Sequence, residues 1–127
     1  MILKSNGNVG IGTQNPTAKL DVNGTIVANE VKVTLQRPAP DYVFAPNYNL
    51  MPLQQLESQV KLQKHLPGIP SAQEIKKNGL SIGDMQAKLL EKMEELTLYI
   101  IEQNKIIDGQ SAQIKNQSAR IQKLERK

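Results

Sequence analysis

Residues Leu89 to Leu124 read LLEKMEELTLYIIEQNKIIDGQSAQIKNQSARIQKL, and this stretch decides the fold. Taken in sevens it places Met93, Ile100, Ile107, Ile114 and Ile121 at one core position. The second core position holds Leu89, Leu96, Gln103, Gln110, Gln117 and Leu124. Such an a/d stripe, sustained over about six heptads, is the pattern of helices that wind around one another. A single helix over 81–127 would run roughly 65 Å at about 1.5 Å per residue. It could not cover its own isoleucine ladder, so the ladder asks for a partner, and the best one is another copy of the chain.

The helix has two halves. Up to Ile107 it carries further apolar residues beside the stripe, at Leu90, Leu98, Ile101 and Ile106, so this half is expected to pack under the rest of the chain as well. Past Gly109 only the a/d seam stays mostly apolar, and a bare coil projecting away is expected. Glutamine at successive d positions costs stability but specifies register and strand number. Isoleucine at a with leucine at d favours two strands, so the heptads alone leave the count open.

The coil takes more than a third of the 127 residues. Roughly 80 residues remain, marginal for an independent core, and with one Phe, no Trp and three Tyr that core is poor. The remainder is therefore expected to gain stability from neighbouring chains. The absence of cysteine excludes disulfides and thiol chemistry. The net charge of +4 is scattered, apart from a cluster at Arg120, Lys123, Arg126 and Lys127, and lacks the density and aromatic interleaving of a nucleic-acid surface. No apolar run reaches the ~18 residues of a membrane span.

The reading divides the chain into a Gly-rich β element over 1–36, a Pro-rich segment with short helices over 37–80, and the coil over 81–127. In the first, Gly7 and Gly12 before Thr13 approach a phosphate loop, but the lysine is missing and Gln14-Asn15-Pro16 blocks the helix that should follow. Tightly packed β structure is the expectation. Asn23-Gly24 between two alternating runs predicts a hairpin, whose second strand uses Val31, Val33 and Leu35. Four prolines between Arg37 and Pro52 impose an extended path. This segment holds Tyr42, Phe44 and Tyr48; Tyr42-Val43-Phe44 is expected to plug the gap between the β part and the helices, the alternative being an exposed aromatic strip for a receptor. Pro52 starts a short helix, Ser71 with Glu74 caps a second that Asn78-Gly79 stops, and Ser81 with Asp84 opens the long one. His65, the sole histidine, has neither the company for a metal site nor a nucleophile to serve. No catalytic, cofactor or metal residue is expected.

The run Asn8-Val9-Gly10-Ile11-Gly12-Thr13-Gln14-Asn15-Pro16-Thr17-Ala18-Lys19-Leu20-Asp21-Val22-Asn23-Gly24 resembles an element of phage tail fibres and of tail-fibre-like surface proteins, notably of Bacteroidetes. Asp41 to Phe44, His65 to Ser71 and Ala87 to Ile101 resemble the C-terminal region of the same proteins. The resemblance implies a homotrimer, with a parallel three-stranded coil and β elements that form layers between chains. The implied fold is α+β. The implied role is the trimerisation and tip region of a tail fibre or fibre-like adhesin, on a virion tail or a cell-surface appendage, joined to an upstream fibre or baseplate protein. Leu89, Met93, Leu96, Ile100, Gln103, Ile107, Gln110, Ile114, Gln117, Ile121 and Leu124 would carry the assembly. The alternative is a receptor-binding module touching host glycan or protein through Tyr42, Phe44 and Tyr48. A related group of fibre tips ends in a self-cleaving intramolecular chaperone whose Ser–Lys motif has no counterpart here, because Ser5, Ser58, Ser71 and Ser81 are followed by Asn6, Gln59, Ala72 and Ile82.

Overall fold

The computed structural model describes residues 1–126, so the terminal Lys127 of the coil and of the basic cluster lies outside the described residues. The fold is α+β, and the chain forms two compact units, Met1–Lys32 and Val33–Lys127.

The first unit is a small three-stranded sheet ordered β1 (Ile2–Leu3), β2 (Val9–Ile11), β3 (Leu20–Val22). β1 pairs antiparallel with β2 and β2 pairs parallel with β3. The hairpin lies at Lys4–Asn8, closed by Lys4 N–H donating to the Asn8 carbonyl at 2.8 Å and Gly7 N–H to that of Lys4 at 2.9 Å. The glycines have distinct roles. A Cβ on the buried Gly10 would collide with the Thr13 carbonyl. Gly12 has φ +73° and would bring a Cβ within 2.8 Å of the Asn23 carbonyl. The loop between β2 and β3 is held by Lys19 Nζ on the Asn6 carbonyl at 3.0 Å and Asn8 Nδ2 on that of Pro16 at 3.3 Å.

The hairpin expected at Asn23-Gly24 does not form. A two-residue type I′ turn needs positive φ at both central positions, and Asn23 is not among the residues with positive φ. Its N–H instead extends the parallel ladder by donating to Ile11. Residues 25–35 accordingly form no strand, and Ile26, Val27 and Val31 stay exposed.

The second unit contains α1 (Leu53–Gln63), α2 (Ala72–Asn78) and α3 (Ile82–Glu125). α1 follows Pro52 and ends with Lys64 in the left-handed region. α2 begins where the Ser71 side chain accepts the Glu74 N–H at 3.2 Å and ends at Gly79, φ +75°. At the start of α3 the expected cap differs: the Ser81 side chain makes no capping bond. Asp84 is drawn instead to Arg37 at 3.0 Å and Lys88 at 3.1 Å. The 44 residues of α3 span roughly 66 Å at about 1.5 Å each. They run without a break through Gly109, despite the ~1 kcal/mol that an interior glycine costs relative to alanine.

Candidate functional site

The prolines keep residues 33–52 from helical structure beyond one 3-10 turn at Tyr42–Phe44. This strap lies along one face of α3, and its contacts advance in step with the helix. Val33 and Leu35 sit over Gly83, where a Cβ would come within 2.6 Å of Val33. Arg37 follows, pairing with the Asp84 side chain and donating to its carbonyl at 3.3 Å. The Tyr42–Phe44 turn packs on α3 and buries Val43, which retains 1% of its exposure. The Tyr48 hydroxyl donates to Glu95 and also lies 3.5 Å from Glu91. Finally, the Tyr99 hydroxyl donates to the Met51 carbonyl. Buried residues Ala87 and Glu94, with half-buried Glu91 and Leu98, recur four and three apart along this covered face. That spacing is one side of a helix.

The a/d positions fall on another side, and it is bare. Leu89, Met93, Leu96, Ile100, Ile107, Ile114, Ile121 and Leu124 are each 44–69% exposed. Gln103, Gln110 and Gln117 are exposed in line with them. Beside this stripe, the start of α1 and α3 bound an apolar groove of about 360 Å³ that includes Leu53, Leu96, Tyr99, Ile100 and Ile107. The eleven sequence-predicted assembly residues thus lie on one continuous helix, along one face, uncovered by their own chain.

The aromatic residues divide. Tyr42 and Tyr48 stack obliquely, with ring centroids 6.1 Å apart at 43°. Tyr48 is half-buried and tied to the helix, while Tyr42 and Phe44 are exposed. Burial and the neighbouring Glu95 and Glu91 push the Tyr48 hydroxyl well above the ordinary phenol range, and burial with Glu91 raises Tyr42. The Tyr48 hydroxyl is a donor that holds the strap to a carboxylate. His65 holds its Nδ1 3.0 Å from the Leu66 carbonyl, a local contact at the end of α1.

Sequence reasoning missed Glu94. It is 6% exposed, and its Oε2 has no hydrogen-bond partner. Its heptad position, b, is one that a coil read alone assigns to solvent; only knowledge that the strap covers this face could have found it. Among the described residues no group of three acidic, histidine or cysteine side chains is arranged to hold a metal ion.

The chain matches no protein-family model, no curated protein and no solved structure.

Proposed function

We propose that the chain is a structural assembly module, the trimerisation and tip region of a tail fibre or fibre-like adhesin, in which three parallel copies of α3 form a coiled coil. The observation that carries this reading is the division of labour on α3. One face is occupied by the chain's own strap, while the a/d face leaves eight large apolar side chains uncovered over the length of the helix. Burying each such side chain is worth about 1.5–3 kcal/mol, and only another helix matches the repeat. The stripe supports association; the count of three comes from the resemblance to fibre proteins, and the Gln103, Gln110 and Gln117 layers would fix register.

The small sheet supports the same reading. In the Met1–Lys32 unit, Gly10 is the only buried residue, and Leu3, Leu20, Ile26 and Val27 are exposed. A sheet so thin does not hold a core by itself; layered between chains whose register the coil has set, its apolar faces would be covered. On this account the module belongs to a virion tail or cell-surface appendage and adjoins an upstream fibre or baseplate protein.

The test is Ile107→Asp, which sets three carboxylates against one another in a closed seam. Gel filtration is expected to show the assembly lost; a variant that elutes with the wild type would overturn the coil-driven account.

The exposure of Tyr42 and Phe44 favours a second reading, a receptor-binding surface for host glycan or protein. Tyr42→Ala and Phe44→Ala variants would then keep the assembly and lose attachment to cells, whereas retained attachment would exclude these residues.

A further inference from the structure

The strap is fastened over a carboxyl that has no business being ionised. Glu94 lies on the covered face of α3, is 6% exposed, and has an oxygen with neither a hydrogen bond nor contact with solvent. A buried carboxylate with a free oxygen is costly; the group escapes that cost by taking a proton. What faces it is acidic as well. The strap brings the Asp41 carboxyl, at the start of the Tyr42–Phe44 turn, within hydrogen-bonding reach, and Glu91 lies one turn back on the helix itself.

The remaining polar groups nearby are already engaged. Tyr48 donates to Glu95 and lies 3.5 Å from Glu91. Lys92 pairs with Glu95 at 3.0 Å, while Lys88 and Arg37 pair with Asp84. Among the described residues no cation pairs with Glu94.

We infer that Glu94 and Asp41 form a proton-operated latch, in which a proton on Glu94, donated to the Asp41 carboxyl, holds the strap against α3. The step is a simple acid dissociation. When the proton leaves to water, two carboxylates face each other across a surface that excludes solvent on one side, and residues 40–51 are pushed off the helix. Burial first, then Asp41 and Glu91, raise the Glu94 carboxyl above its ordinary range, in keeping with that geometry. A folded-state pKa above the unfolded one means that the latch is fully fastened below the ordinary carboxylate range. It loosens as pH rises through the folded value. The latch lies on the covered face of the helix, so it does not depend on the coil reading.

The test uses the full chain in its native assembly state. The side-chain carboxyl carbons of glutamate, followed by NMR against pH, should show Glu94 titrating above the other glutamates. Hydrogen exchange over residues 40–51, corrected for intrinsic rates, should speed up between pH 5 and pH 8 in the wild type. Glu94→Gln copies the protonated shape; the variant should exchange at the slow rate at both pH values and melt several degrees higher than the wild type at pH 8. Asp41→Asn, which supplies a donor to Glu94, should shrink the pH difference. Glu94 titrating with the other glutamates, or wild type and Glu94→Gln exchanging identically at pH 8, would overturn the latch.

Discussion

Val43 is the side chain on which attachment of the strap rests. Among the described residues it is the one large residue whose side chain is fully enclosed, and it is held by a turn too short to keep its shape without that contact. Truncation to alanine should cost about 2 kcal/mol, read as a lower midpoint in urea unfolding of the Val33–Lys127 unit; a loss within error would mean that the strap is not seated as described. Tyr48→Phe removes a hydrogen bond to a carboxylate, of the kind that contributes about 1.5–3 kcal/mol when well shielded. Because Tyr48 is only half-buried, about 1 kcal/mol is the expected loss. Residues of this kind were the least legible in the sequence. Tyr42-Val43-Phe44 stood out as a plug beside Tyr48, yet which of these would face inward depends on a helix about 45 residues further on, and of the three plug residues only Val43 is enclosed. Glu94 was hidden for the same reason, since burial of a b position is decided by the strap and not by the heptad.

At the scale of elements, signals that close over three or four residues were readable, and those that need a distant partner were not. Ser71 and Gly79 bound α2 as their sequence context implies, because a cap is satisfied within its own turn. Ser81 and Asp84 carry a similar pattern, but Arg37 and Lys88 compete for the aspartate. The two serines should therefore respond differently: Ser71→Ala should cost about 1 kcal/mol and Ser81→Ala only a few tenths, compared by thermal melting of each variant. Equal losses would show that Ser81 caps α3 after all. Asn23-Gly24 fails as a hairpin signal on similar grounds. The parallel ladder to Ile11 claims the Asn23 N–H, and a local turn preference yields to it. In α3, replacing Gln103, Gln110 and Gln117 by leucine should raise the melting temperature while broadening the distribution of oligomers, as native mass spectrometry would show. A single oligomer in that triple variant would mean that the glutamine layers do not specify strand number.

The long helix has one face covered by its own chain and another that is bare. Among the described residues the buried apolar side chains are Pro40, Val43, Ala87 and Tyr99, far fewer than a domain of this length ordinarily encloses. That shortage was legible from the composition alone, with few aromatics and a large fraction of the chain committed to a heptad repeat. The α+β class and the long helix were legible as well. How many strands a coil with this repeat would contain is written only weakly in the sequence, because isoleucine at a with a mixture of leucine and glutamine at d is compatible with more than one strand number.

The most direct test of the central claim is the absolute mass in solution, measured by light scattering over a dilution series. A coil of three parallel copies gives the mass of three 14.1 kDa chains, unchanged on dilution. A monomer at all concentrations would contradict the claim that the bare face of α3 is closed by further copies of the chain, and a stable dimer would contradict its three-stranded form.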